Sequence, residues 1–171
     1  THGLSGQEIS QLPLETCQTM NGMWGYKVSD QEYKSTKTLI RYLVSTAGKG
    51  ANLLLNVGPQ PNGELPAVAV ERMKEMGEWL AVNGETVYGT KAGDVKQQEW
   101  GCTTRKGDRL FIHIFDCKEQ ELTLPLDCKV KKAFTYSDKH PVKFKKTKEG
   151  VKLMFNEVPT GIDYIVELVT K

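Results

Sequence analysis

Apolar residues recur with helical spacing in two stretches of the first half of the chain. Residues 34–47 carry them every three to four positions, with Ser35 placed to cap the start of a helix and Gly48 placed to end it. Residues 66–82 repeat this spacing and close at Gly84. The pattern therefore predicts two amphipathic helices.

Two shorter apolar stretches alternate with these helices, one before the first helix and one between the two. Residues 52–57 form a nearly continuous apolar run between Gly50 and Gly58, as in a strand that is buried on both faces of a parallel sheet. Residues 12–20 predict another strand, so the order is strand, helix, strand, helix. Two such units cannot close a sheet, because edge strands leave backbone groups unpaired. We therefore expect the chain to be part of a longer protein with a (β/α)8 barrel or a doubly wound sheet.

After residue 95 the apolar residues alternate with a period of two, which is typical of half-buried strands. Short strands with turns at 106–108 and 148–150 predict an antiparallel β-sandwich. The candidate strands are residues 99–104, 109–115, 120–124, 130–136, 142–146, 151–155 and 164–169. Their phenylalanines are expected in the core rather than in a sugar-stacking platform, namely Phe111, Phe115, Phe134, Phe144 and Phe155.

Composition and charge narrow the choice of partners. The 171 residues, 39% of them apolar, suffice for an ordinary packed core. The net charge of +2 gives no basic field that would collect nucleic acid or an anionic membrane. The apolar run at 51–57 is far shorter than the roughly 18 residues of a membrane-spanning helix. We therefore expect neither a nucleic-acid nor a membrane partner, and no pattern specifies an oligomeric state.

The cysteines and histidines show no metal-binding pattern. A Cys117–Cys128 disulfide and free buried thiols both remain open, because the spacings match no zinc or redox motif; the cysteines are Cys17, Cys102, Cys117 and Cys128. The histidines, His2, His113 and His140, are isolated, so no metal and no other cofactor is expected. Within its strand, His113 is expected to point away from the core.

Two groups of charged residues are expected to be solvated. Asp30 and Glu32 follow a loop after the first strand and are interpreted as ordinary surface charges. A lysine cluster is interpreted as a solvated hairpin face that discourages edge pairing, and it comprises Lys143, Lys145, Lys146 and Lys148.

Judged from residue type and position alone, Glu15 is the candidate for a general acid. It is a carboxylate within a predicted strand, and desolvation among apolar neighbours favours the protonated form that a general acid needs. The alternative is a solvent-facing Glu at a strand end, which is the commoner situation for a carboxylate. Residue types alone leave both readings open.

Several motifs in the first half occur together and in a fixed order. They are residues 15–22 (ETCQTMNG), 24–26 (WGY), 49–59 (KGANLLLNVGP), 62–63 (NG), 71–72 (ER), 77–80 (GEWL), 83–85 (NGE) and 88–90 (YGT). This series resembles the last catalytic-domain segments of family 29 of the glycoside hydrolases, the α-L-fucosidases. The resemblance covers roughly residues 1–92. The all-β remainder is similar to the family's C-terminal sandwich in placement and length.

The resemblance implies an α/β plus all-β protein. Residues 1–92 would be the C-terminal portion of a catalytic (β/α)8-like domain, contributing its final strand–helix units, and residues 93–171 an antiparallel β-sandwich domain. The implied activity is that of an exported, retaining exo-hydrolase that releases terminal α-L-fucose from fucosylated glycans through a covalent fucosyl-enzyme. Such an enzyme needs two carboxyl groups about 5 to 5.5 Å apart.

Glu15 matches the family's Trp-Glu acid/base position, although Leu14 stands where that Trp is usual. The family's nucleophile, an Asp on an earlier strand, and its early histidine-bearing motifs have no counterpart in this sequence. We therefore expect the chain alone to be inactive. The alternative hypothesis is a non-catalytic carbohydrate-binding or scaffold fragment.

Two further residues are candidates for substrate binding. Trp24 could offer an apolar face to the C6 methyl of fucose or to the neighbouring sugar, or it could wedge its loop against the barrel. Asn56 ends a predicted strand where barrel strands present residues to the active site, or its side chain caps the following turn.

Overall fold

The structure, a computed structural model, describes residues 13–171. Two strand–helix units come first: β1 (Leu14–Thr19), α1 (Thr36–Gly48), β2 (Ala51–Asn56) and α2 (Ala67–Asn83). β1 and β2 pair in parallel, and a 3₁₀ turn at Gly84–Thr86 follows α2. The predicted element order is confirmed. Residue 12 of the predicted first strand, and His2, lie outside the described residues.

The two helices form where the sequence places their signals. The Ser35 hydroxyl accepts the backbone N–H of Thr38 and so caps α1. Leu39 and Val44 of α1 are buried in one cluster with Met20 and Met76, so the helices cover one face of the β1–β2 pair. That packing fixes which strand face remains uncovered.

The rest of the chain forms two antiparallel sheets around a second core. The first sheet has the order β3-β4-β5-β10-β7, and the second has the order β6-β9-β8. The strands are β3 (Lys91–Ala92), β4 (Gly101–Lys106), β5 (Arg109–Ile114), β6 (Glu121–Leu124), β7 (Val130–Thr135), β8 (Lys143–Thr147), β9 (Gly150–Met154) and β10 (Tyr164–Thr170). All seven predicted strands are present. The two-residue β3 was missed, because two residues show no alternation.

Four of the five phenylalanines predicted for the core lie in packed surroundings, whereas Phe134 belongs to neither core cluster and is half-buried, with the ammonium of Lys139 5.0 Å from its ring centre. Phe144 and Phe155 pack against the core between the two sheets. Phe111 is fully buried on the opposite face of the five-stranded sheet, where its ring meets Tyr136 edge-on at 5.8 Å. Phe115 packs against the cluster under the helices.

An arginine on α1 joins the helical half to the sheets. Arg41 donates from Nε to the carbonyl oxygen of Ile162 at 2.9 Å and from Nη1 to Asp116 Oδ2 at 2.8 Å. Its guanidinium also lies 5.2 Å from the centre of the Phe115 ring. Because these partners come from two loops of the all-β half, one side chain fastens α1 to both.

A buried histidine lies at the same joint. His113 points away from the core between the sheets, as predicted, but it is fully buried because the helical half covers that face. Its Nδ1 lies 2.7 Å from Asp163 Oδ2 and its Nε2 lies 3.0 Å from Thr104 Oγ1. The sequence showed no metal-ligand partner for His113, and it did not reveal these two hydrogen-bond partners.

The direction of the hydrogen bond between His113 and Thr104 follows from a second bond that Thr104 makes. Thr104 donates its only hydroxyl proton to the carbonyl oxygen of Thr86 at 2.6 Å, so His113 Nε2 must donate to Thr104. In a catalytic triad the corresponding nitrogen accepts the proton of the nucleophile. These hydrogen bonds therefore hold the two halves of the chain together and do not form a catalytic triad.

The described residues contain no grouping of three His, Cys, Asp or Glu side chains that could hold a metal ion. All four cysteines are free, and burial raises the pKa of the Cys102 thiol well above its usual value. Within residues 13–171 no helix has the length and apolarity needed to cross a membrane.

Candidate functional site

The face of β1 and β2 that points away from the helices is open. Glu15 and Cys17 of β1 and Asn52 and Leu54 of β2 are exposed there. Glu15 lies opposite Asn52 in the register, and Thr19 lies opposite Asn56 at the carboxyl ends of both strands. In the described part of the chain each of these strands has only the other as a partner. An exposed strand face of this kind is typical of a surface that packs against further protein.

The loops that leave the two carboxyl ends are fastened to each other. Asn56 Nδ2 donates to the carbonyl oxygen of Trp24 at 2.6 Å. A Cβ atom on Gly58 would lie 2.5 Å from the backbone nitrogen of Tyr26, so only glycine permits this approach of the loops. The side-chain amide of Asn56 thus holds the neighbouring loop. The sequence had offered two other roles for Asn56, a place in the active site or the capping of its own turn.

The loop after β1 (residues 20–35) has internal supports that the sequence did not reveal. Asp30 Oδ2 accepts the backbone N–H of Met23 at 2.6 Å, and the carbonyl oxygen of Asp30 accepts from Asn21 Nδ2 at 3.3 Å. The interpretation of Asp30 as an ordinary solvated charge was therefore wrong, because its carboxylate closes the loop. Glu32 is exposed, as predicted.

A half-buried lysine lies beneath this loop. Lys34 Nζ donates to the carbonyl oxygens of Thr19 at 2.7 Å and Asn21 at 3.0 Å. Burial lowers the pKa of Lys34, and the charge of Asp30 opposes this shift. The ammonium satisfies carbonyl groups where β1 ends, so it fixes the start of the loop.

The Trp24 side chain lies at the surface although its backbone is held by Asn56. The residue is 53% exposed, and the adjacent Met23 is 48% exposed. A tryptophan that wedges a loop against described residues would be largely buried. The arrangement presents an aromatic and an apolar side chain above the carboxyl ends of two parallel strands, which suits contact with the apolar face of a sugar.

Glu15 lies apart from Trp24 and Asn56. It is the second residue of β1, four residues before Thr19, which corresponds to about 13 Å along a strand. The side chain is exposed, so the described residues do not supply the apolar surroundings that the sequence led us to expect. The structure therefore brings together Trp24 and Asn56, and it places Glu15 deeper on the same strand pair.

The residues that support these two loops carry only weak signals in the sequence. The Asn21-Gly22 and Gly58-Pro59 pairs mark turns, but they do not show that the two turns touch. The roles of Asp30 and Lys34 depend on the path of the loop. Only the three-dimensional arrangement identifies them.

Comparisons with known proteins agree with this architecture. Residues 2–85 match the family model described as alpha-L-fucosidase. Human plasma alpha-L-fucosidase (Homo sapiens) is 40% identical over 108 residues, which is 59% of this chain and 23% of that protein. The alpha-L-fucosidase of Dictyostelium discoideum is 30% identical over 118 residues, 66% of this chain and 26% of that protein.

Solved structures match nearly the whole chain. Alpha-L-fucosidase isoenzyme 1 from Paenibacillus thiaminolyticus has a TM-score of 0.83 and 32% identity, covering 94% of this chain and 40% of that one. The alpha-L-fucosidase from Vibrio sp. strain EJY3 has a TM-score of 0.83 and 27% identity, covering 96% of this chain and 30% of that one. The chain thus spans well under half the length of the proteins it matches. Residues 2–85 match the family in sequence and nearly the whole chain matches it in fold, so this chain belongs to the α-L-fucosidase family and corresponds to a part of such a protein.

Proposed function

We propose that the chain is the C-terminal portion of a retaining α-L-fucosidase that releases terminal α-L-fucose from fucosylated glycans. In this proposal β1 to α2 are the last units of a (β/α)8-like barrel, within residues 1–92, and residues 93–171 form a β-sandwich domain. The observation that carries the proposal is the pair of fastened loops bearing Trp24 at the carboxyl ends of parallel strands, the edge where barrel enzymes build their active sites.

The open face of β1 and β2 supports the barrel. Within residues 13–171, β1 and β2 each have one edge without a partner strand and Leu54 is exposed between them, which is the kind of surface that further strands cover. In a closed barrel this face becomes the interior. Glu15 would then lie on the inner wall of the barrel.

We assign to Glu15 the role of general acid and base. A carboxylate from the part of the protein outside this chain attacks the anomeric carbon, while Glu15 donates its proton to the leaving oxygen as the glycosidic bond breaks. Glu15 then takes a proton from water as that water displaces the enzyme carboxylate from the sugar. Its place on the inward face of β1 supports this role, and its depth below the strand ends makes it the part of the proposal to test first.

Trp24 and Asn56 form the sugar-binding edge in this proposal. The Trp24 ring offers an apolar surface to the C6 methyl of fucose or to the adjoining sugar. Asn56 uses its amide to hold the Trp24 backbone, so it acts as a positioning residue. Named relatives include plasma fucosidases, and we infer that this protein is likewise exported to an extracellular, periplasmic or lysosomal site.

The test of Glu15 uses a protein in which the barrel is complete. Glu15→Gln is expected to lower kcat/KM about a thousandfold or more on fucosides with poor leaving groups, and far less on activated aryl fucosides, which need no proton. Azide should restore turnover by replacing the water that the missing base would activate. An equal loss on all leaving groups without azide rescue would contradict the assignment and make Glu15 a lining residue of the barrel.

A further inference from the structure

Positive charge is concentrated in one segment of the all-β half. Residues 127–148 contain eight lysines and two aspartates, without arginine or glutamate, which is a net +6 for the segment against +2 for the whole chain. The rest of the chain is therefore net negative. Such an asymmetry points to an anionic partner for this segment.

The structure places three lysines side by side on the outer face of the three-stranded sheet. Phe144 and Leu153 point into the core, so Lys143 and Lys145 of β8 and Lys152 of β9 point outwards. We call these three residues the lysine face. Lys143 and Lys145 are exposed, and within residues 13–171 no carboxylate lies within 4.0 Å of either ammonium group.

The arrangement of these charges is unfavourable for the fold alone. Lys145 lies directly opposite Lys152 in the register of β8 and β9, and like charges in that position destabilise a sheet. Lys152 is relieved by Glu121 at 2.6 Å, whereas Lys145 has no such ion pair among the described residues.

Protection of a sheet edge explains only part of this pattern. β8 is an edge strand, and lysines there discourage pairing with another chain, as predicted for this hairpin. β9, however, is the central strand of its sheet, where no edge needs protection. Edge protection therefore does not account for Lys152, whose ion pair with Glu121 keeps a third positive charge beside Lys145.

The basic surface continues around the end of the two sheets. A cavity of about 320 Å³ opens there between β7 and β8, and its lining includes Lys129 and Lys146. Lys146 has an ion pair with Asp127 at 3.1 Å, but both side chains are largely exposed, so the pair is weak. An extended anion on the lysine face could continue along this end.

We propose that the lysine face binds a linear sulfated polysaccharide. The segment carries its positive charge on lysines alone, which act as point charges toward closely spaced oxyanions, and it holds no arginine that would fork a single one. Between Glu121 and Met154 the structure shows no exposed large hydrophobic side chain that would stack on a base or enter a membrane. The choice of a glycan among polyanions rests on the proposed function.

The direct test is binding of heparin, as a sulfated polysaccharide, to the 171-residue chain at 50 mM NaCl. The double variant Lys143→Glu, Lys145→Glu is expected to weaken binding about tenfold or more. The control Lys37→Glu, Lys74→Glu changes the net charge equally but on exposed sites of α1 and α2, and should change binding less than twofold. Chemically desulfated heparin should not bind measurably.

Two further readouts keep the outcome clear. Lys145→Glu gains an attraction to Lys152 but loses the attraction of Lys145 for Glu121, so its Tm should stay within about 4 °C of the parent, which shows that the variant folds. Equal weakening by both double variants, no saturable binding, or tighter binding to single-stranded DNA or anionic vesicles would overturn the proposal. Fucoside hydrolysis by the completed protein should be unchanged in the lysine-face variant, so failure of either proposal is seen separately.

Discussion

At the scale of single residues, the sequence identified residue types but not their partners. Trp24 and Asn56 were recognised as candidates, and the structure joins them through one hydrogen bond of 2.6 Å. Asp30 was misjudged and the partner of His113 was not foreseen, because both depend on how the chain folds back: Asp30 holds Met23 within its own loop, and the His113 side chain contacts Asp163, 50 residues away. Charge and polarity can be read from a sequence, but the burial that decides their effect cannot.

Glu167 provides a residue-scale prediction for the pH dependence of stability. Its side chain is 4% exposed and lies 2.5 Å from Arg109 Nε and 2.9 Å from Lys139 Nζ. Burial alone would raise the pKa of Glu167, but the hydrogen bonds from both cations outweigh it and hold the pKa below its usual value. The folded protein therefore binds fewer protons here than the unfolded chain does in acid.

The stabilisation by Glu167 should be complete above the unfolded pKa of about 4.3 and should be lost as the pH falls through the lower folded pKa. Glu167→Gln is expected to cost about 1–3 kcal/mol of unfolding free energy at pH 7 and to flatten the fall in stability below about pH 4. Urea unfolding at several pH values measures both. Glu157→Gln, at an exposed site, is the control. Identical acid limbs in the two variants would contradict the account.

At the scale of elements, local signals were sufficient. Both helices, both parallel strands and seven antiparallel strands were predicted within a few residues of their observed bounds, because caps, glycines and apolar periodicity are local properties. The fastening of the loops after β1 and β2 was not predictable. It depends on a close approach between Gly58 and Tyr26, which lie 32 positions apart in the chain.

Two glycines in these loops give a matched test of the fastening. Gly58→Ala would place its Cβ 2.5 Å from the Tyr26 nitrogen, so the loop that bears Trp24 must move. We expect kcat/KM for an aryl fucoside to fall about tenfold or more in the completed protein, since small misplacements of a binding loop are costly. Gly25→Ala meets no atom within 4 Å and should stay within about twofold of the parent. Equal activities would show that the loop position does not matter.

At the scale of the whole molecule, the joint between the halves determines how the strand pair is held. Arg41 reaches Ile162, 121 residues away, and Arg109 binds Glu85 at 2.6 Å beside the end of α2. The change of period near residue 90 predicted two parts, but not how they meet, because no local pattern records such distant pairs. The domain bounds at 92 and 93, and the barrel that would cover β1 and β2, remain predictions.

We propose that this chain completes a fucosidase site whose attacking carboxylate comes from another part of the protein. The most direct measurement is hydrolysis of an aryl α-L-fucoside by the 171-residue chain and by the protein with a complete barrel, with the anomeric product followed by NMR. We expect no measurable hydrolysis by the chain alone, because the covalent route needs both carboxylates, and hydrolysis with retained configuration by the completed protein. Activity in the isolated chain, or a folded completed protein that leaves α-L-fucosides intact, would contradict the account.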